Sequence, residues 1–222
     1  SRADEGMWLP NLISTMNIDD MRSKGLSLSA EDIYNVNKSS LKDAVVALSW
    51  GSCTGEIISK EGLLLTNHHC ADDLIQFHST TEKDYLKNGF WAMNKSEELA
   101  NENLTASILV RIENVTERVF SKINGSGTEE DRRKKIRAVA NEISNEISDT
   151  SHYTSRLRSF YGGNEFYLFI YETFLDVRLV GAPPSSIGKF GGDTDNWMWP
   201  RHTGDFTLLR IYADTNNKPA KY

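Results

Sequence analysis

The sequence predicts a mainly β protein with added helices, and three observations carry that prediction. Short runs rich in Val, Ile and Leu succeed one another at 44–49, 56–59 and 63–66, broken only by glycine-containing turns. Aromatic and β-branched runs return at 166–171, 174–180 and 206–212. A helical period stands out clearly in one long segment, 128–148.

Taken in order, the first 40 residues mix Gly, Ser and Asp with scattered apolar positions such as Met7, Trp8, Leu12 and Ile13. Within them Ser29 is placed to cap a short helix over 28–34, because Glu31 and Asp32 follow it directly. Ala44–Ser49, Glu56–Ser59 and Leu63–Thr66 read as antiparallel strands, with tight turns at Gly51, Gly55 and Lys60-Glu61-Gly62. Thr128 can cap the long helix, with Asp131 three residues on. Ile136, Val139, Ala140, Ile143 and Ile147 then form one apolar stripe. The opposite face, with Arg132, Arg133, Lys134, Lys135, Glu142 and Glu146, reads as a solvated surface. Phe166–Tyr171, Phe174–Val180 and Phe206–Tyr212 are strands, with loops at Pro183-Pro184 and 188–192. No internal repeat or low-complexity linker interrupts the chain.

Composition narrows the function. The chain has 222 residues, with 25 Lys and Arg against 31 Asp and Glu, a net charge of −6. That balance argues against a nucleic-acid partner, which calls for a basic face. No apolar run approaches the ~20 residues of a membrane-spanning helix. Ser1–Gly6 holds no apolar signal core, so any export signal is expected to have been removed or left out. The two cysteines are compatible with a disulfide, with buried thiols or with half of a metal site.

The richest segment runs from Gly51 to Cys70 and reads strand, turn, strand, then the polar tip Asn67-His68-His69-Cys70. A histidine held at a strand end suits general-base work, since an imidazole exchanges a proton near neutrality. Cys53 and Cys70 bracket the hairpin, so a disulfide there would pin the histidine loop, at about 3 kcal/mol on the loop-entropy scale. Cys53, His68, His69 and Cys70 also make a candidate zinc set, but the ligand spacing of zinc modules is missing and adjacent histidines on a strand point apart.

A general base needs an orienting acid. Asp205 is followed by Phe206-Thr207-Leu208-Leu209, so it opens a strand that can hold it beside an imidazole; Asp193 and Asp195 lie in a Gly-rich loop and suit loop anchoring. Gly125-Ser126-Gly127 superficially suits a nucleophile, but it leads straight into a helix cap and reads as a surface turn.

The Ser52-Cys53 strand, the second strand and the ending His69-Cys70 resemble the trypsin-like serine peptidases. In that pattern the cysteines are bonded across the hairpin, and the catalytic histidine directly precedes the cysteine, hence His69 and not His68. Four longer stretches narrow the resemblance: Asp4–Trp8, Leu63–Cys70, Asp84–Ala92 and Gly191–Phe206. Together they are similar to the bacterial S46 peptidases, the dipeptidyl peptidases of the DPP7 and DPP11 type. The resemblance implies a trypsin-like antiparallel β-barrel, the first of a double-barrel peptidase. Residues 1–40 are then an N-terminal extension packing on the catalytic domain, and 41–222 the first-barrel portion with a helical segment near 128–149.

The resemblance further implies release of dipeptides from free peptide N-termini by a Ser-His-Asp triad. Its parts here are His69 as base and Asp205 as the acid that orients it, with Asn196 and Trp197 holding the substrate's α-amino group. An ammonium group needs acceptors and gains from an aromatic face, which Asn and Trp supply. The order His, Asp, Ser places the serine after Asp205, where only 17 residues follow, so this chain is expected to lack the nucleophile and to be inactive alone. Also implied are a periplasmic or cell-surface location in a Gram-negative bacterium, homodimers of the full-length protein, peptide substrates, and no cofactor or metal. Side-chain preference is expected to be set beyond residue 222. Five Asn-x-Ser/Thr sites, at Asn37, Asn94, Asn103, Asn114 and Asn124, become irrelevant under this reading. The rival readings are a non-catalytic trypsin-like peptide-binding module and a secreted trypsin-like endopeptidase.

Overall fold

The structure is a computed structural model, and it describes residues 8–125, 127–150, 153–189 and 204–212, with backbone only at 149 and 150. In chain order it contains α1 (Ile13–Met16), α2 (Ile18–Ser23), α3 (Ala30–Ile33), β1 (Val45–Leu48), β2 (Cys53–Ile57), β3 (Leu63–Thr66), α4 (Asp72–His78), α5 (Tyr85–Asn88), β4 (Phe90–Trp91) and β5 (Leu99–Ala100). There follow β6 (Ala106–Asn114), α6 (Thr116–Ile123), α7 (Glu129–Thr150), β7 (Tyr153–Phe160), β8 (Glu165–Phe174), β9 (Asp176–Ala182), α8 (Ser185–Gly188) and β10 (Thr207–Tyr212). The fold is thus antiparallel β with helices, as the sequence predicts. The chain divides into two compact units, Ser1–Asp43 with Ile108–Glu172, and Ala44–Ser107 with Thr173–Tyr222.

The first unit is built around β8, which lies between β6 and β7. β7 and β8 pair antiparallel over their whole length, from Tyr153↔Glu172 to Phe160↔Glu165. Val119 and Ile123 of α6 and Val139 and Ile143 of α7 meet Phe166, Leu168 and Ile170 of β8 in one buried cluster. The apolar stripe of α7 is therefore its core face, with Ile136 and Ile147 packed at the margin. Thr128 does cap α7, its hydroxyl accepting from the Asp131 N–H at 3.1 Å. Ser29 and Asp32 form a full capping box at α3. Behind the sheet, the Tyr34 hydroxyl accepts from the Ile112 N–H at 2.8 Å, which ties the early helices to β6.

The second unit carries the histidine loop. Its strand order is β4-β9-β10-β3-β2-β1, with β5 also on β9, and among the described residues no pairing joins β4 to β1 to close a barrel. β1, β2 and β3 form consecutive hairpins, with Leu48 opposite Cys53 and Glu56 opposite Leu65. β10 then runs antiparallel to both β3 and β9. Burial alternates along these strands, so Val46, Leu48, Leu64, Val177, Leu179, Leu209 and Ile211 point into the core. At the β2–β3 turn, Gly62 has φ +69°, and a Cβ there would lie 2.6 Å from the Ile211 carbonyl oxygen. Glycine lets that turn touch β10. Near the end of β10, buried Glu98 accepts from Arg210 Nε (2.9 Å) and the Tyr212 hydroxyl (2.5 Å), so its charge is paired where it is buried.

Because Ile143 is 2% exposed in the α6–α7–β8 cluster, truncation must leave a cavity. Ile143→Ala is expected to lower the unfolding free energy by about 2–5 kcal/mol. Urea melts of this chain check it, and an unchanged midpoint would contradict the packing.

Candidate active site

The site is assembled by strand register. Thr207 of β10 faces Thr66 of β3 in an antiparallel ladder. Carrying that register two residues beyond the strands sets Asp205 against His68 and His69, which explains a contact across more than 130 residues of sequence. Asp205 Oδ1 accepts from the His68 backbone N–H at 2.6 Å and from the His69 backbone N–H at 3.1 Å. Asp205 Oδ2 accepts from His69 Nδ1 at 2.9 Å and from Asn67 Nδ2 at 3.1 Å. Asn67 Nδ2 also reaches the Asp205 carbonyl at 3.3 Å.

This environment decides the charge. Burial pushes the Asp205 carboxyl up, but the His69 backbone and ring hydrogen bonds, the His69 charge and the His68 N–H together outweigh it. The net effect holds Asp205 below the ordinary carboxyl value of 3.8, so it is ionised at neutral pH. An ionised carboxylate only accepts, so His69 Nδ1 must carry the proton, which leaves Nε2 as the ring's acceptor. Asp205 is nearly buried, with 11% of its side chain exposed, whereas His69 keeps 31% open to solvent. The arrangement is a nearly buried anion orienting a partly exposed imidazole.

The loop bearing these groups is pinned twice. Cys53 and Cys70 form a disulfide, with Cα atoms 6.0 Å apart. Their sulfurs are therefore not thiolates, which removes half of the candidate zinc set. Just before the tip, Thr66 Oγ1 donates to the Thr54 carbonyl at 2.8 Å, locking β3 to β2.

The His68 ring sits in a different environment from its neighbour's. Its side chain is fully buried, and Nε2 lies 3.5 Å from both Ser185 Oγ and Asp72 Oδ1. Burial is the largest influence and pushes its pKa down; the Asp205 charge opposes this, while Lys189 and His69 push further down. The ring is neutral at pH 7. Lys189 Nζ pairs with Asp72 Oδ2. The sequence reading missed Asn67, Asp72, Ser185 and Lys189; only the position of Asn67 beside the two histidines signals it. Asn196, Trp197, Asp193 and Asp195 lie outside the described residues, as does Ser126.

Comparison with known proteins gives the class and then the family. The fold is that of a solved peptidase structure: Porphyromonas endodontalis DPP11 in complex with substrate superposes with a TM-score of 0.86 at 48% identity, covering 99% of this chain and 32% of that one. The Peptidase S46 profile matches residues 3–222, and the chain belongs to that family. It is 51% identical over 217 residues to an Asp/Glu-specific dipeptidyl-peptidase of Flavobacterium psychrophilum, covering 98% of this chain and 30% of the relative. It is 48% identical over 221 residues to the dipeptidyl-peptidase 7 of Capnocytophaga gingivalis, covering 100% of this chain and 31% of the relative. The chain thus spans about 30% of the length of these bacterial relatives. Among the described residues no helix is long and apolar enough to cross a membrane.

Asp205 gives a pH-dependent prediction. A carboxyl held below its unfolded value stabilises the fold above that value, and the gain is lost as pH falls through the folded one. The stability gap between wild type and Asp205→Asn is expected to be constant well above the ordinary carboxyl value of 3.8 and to close as pH falls below it. Denaturant melts across that range measure it; a gap independent of pH would contradict the carboxylate's ionised, hydrogen-bonded state.

Proposed function

We propose that the full-length protein is a serine exopeptidase that releases dipeptides from free peptide N-termini, with His69 as general base and Asp205 as the residue that orients it. The observation that carries this reading is the 2.9 Å contact between His69 Nδ1 and Asp205 Oδ2, just past the paired ends of β3 and β10. The names of the related S46 enzymes support the same reaction class. The serine belongs to the portion of the related enzymes' length that this chain does not cover, and this chain alone is inactive. Residues 1–40 serve as an N-terminal extension and 41–222 as the first-barrel portion of the peptidase domain.

The chemistry follows from the protonation states. His69 Nε2 removes the serine hydroxyl proton as the oxygen attacks the peptide carbonyl, and later delivers it to the leaving amine. Asp205 stays ionised throughout and stabilises the imidazolium, because four N–H groups already hold its charge. Backbone amides beside the serine receive the oxyanion. Asn196 and Trp197 hold the substrate's ammonium group, which selects a free chain end and limits cleavage to dipeptides. The Cys53–Cys70 disulfide supports export to an oxidising compartment, the periplasm or cell surface, and the full-length protein acts as a homodimer.

The test uses the full-length enzyme and paired peptides with free and acetylated N-termini. His69→Ala is expected to lower kcat by about 10³-fold or more, and wild type to cleave only the free peptide. Asn196→Ala is expected to raise KM for the free peptide. Activity surviving His69→Ala would overturn the triad. Equal cleavage of the acetylated peptide would favour an endopeptidase, and no cleavage of either a peptide-binding module.

A further inference from the structure

The active-site loop presents two adjacent histidines, and the mechanism uses the ring of only one. The His68 ring is fully buried, yet its contacts through Nε2 are long, at 3.5 Å to Ser185 Oγ and to Asp72 Oδ1. Hydrogen bonding of that length holds little. What fixes the ring is packing. A Cβ at Gly188, the last residue of α8, would fall 2.3 Å from both Cγ and Cδ2 of the imidazole. The ring therefore lies flush on the Gly188 backbone, in space that any other residue would fill. Asp72, next to it, is tied to Lys189, so α4 and the end of α8 are joined around the ring.

The backbone of the same residue makes the shortest bond to Asp205, the 2.6 Å contact from the His68 N–H to Oδ1. One residue thus has its side chain locked against α8 and its amide locked on the carboxylate.

We propose that His68 is a positioning residue for the Asp205–His69 pair, its ring acting as a wedge against Gly188 that sets the height of the loop and so the aim of the two backbone N–H groups. This inference rests on the peptidase reading above. The wedge works by shape: a neutral, flat, rigid ring fills the space between α4 and α8 and leaves the loop one position. Displacing the ring tilts the His68 and His69 amides off Asp205 and turns the His69 ring with them. Misplacement on the ångström scale is enough to lower the chemical step about a hundredfold. Substrate binding, which the Asn196 and Trp197 groups provide, is left in place.

The experiment is a double-mutant cycle in the full-length enzyme, with His68→Ala, Gly188→Ala and the pair together, assayed on a free-amino dipeptide substrate beside His69→Ala. Thermal midpoints are measured for each variant. Gly188→Ala adds one methyl group and keeps the test informative if His68→Ala does not fold; in that event it is read alone. Gly188→Ala is expected to lower kcat by about tenfold to a hundredfold, with KM within about twofold of wild type. The two losses are expected not to multiply: with the ring gone, the added methyl has nothing to strike, so the double variant matches His68→Ala. Wild-type kcat in Gly188→Ala, a loss in KM instead of kcat, or losses that multiply independently would each overturn the wedge while leaving the triad intact. Activity that survives His69→Ala would instead overturn the peptidase reading, and the wedge with it.

Discussion

The site depends on one buried anion and the N–H groups that hold it. Asp205 sits just before β10 with little of its side chain in water, and a carboxylate in that position is unfavourable unless its oxygens are bonded. Asn67, His68 and His69 supply the donors, two of them main-chain amides. The third residue of that run also turns its ring Nδ1 onto the same carboxylate. Three consecutive residues thus serve one side chain, and this is possible only because β3 and β10 lie side by side with Thr66 opposite Thr207. Slipping that ladder by one residue would turn every strand side chain to the other face and carry Asp205 past the loop.

Such a loop has to be stiff, because a strand tip normally frays. Stiffness comes from a covalent tie and a hydrogen bond, both to β2. The disulfide ties Cys70 back to β2, and Thr66 bonds the Thr54 carbonyl one step below. His68 fills the interior beneath the tip, against Gly188. His69, held by its ring Nδ1 and backbone N–H on Asp205, is the member of the group whose side chain stays partly open to solvent.

Legibility in the sequence follows the range of the interactions. The β1–β3 hairpins and α7 are visible because their periods are local and their turns carry glycine; the caps at Ser29 and Thr128 are visible for the same reason. β7 is not, since Tyr153–Phe160 has no alternating burial and is a strand by virtue of its full-length pairing with β8. α6 is only eight residues long; its apolar positions Val119, Phe120 and Ile123, with Val115 before them, do recur at the helical interval, but over barely two turns. β6 was legible in principle, with Ile108, Leu109 and Val110 in a row. At the site, His69 and Asp205 stand out because each begins or ends a strand beside recognisable neighbours. Asn67 and the His68–Gly188 contact do not, because they arise from the β3–β10 register and from the seating of α8. Neither is encoded in any short stretch of chain.

The Asp205 carboxylate, held by the 67–69 loop, sets the tautomer and aim of His69. Steady-state kinetics of the full-length Asp205→Asn enzyme on a free-amino peptide test it most directly, since the amide keeps the shape and loses the charge. In that variant kcat is expected to fall by about 10³–10⁴-fold, with KM changed only a few-fold. A kcat within a few-fold of wild type would contradict it.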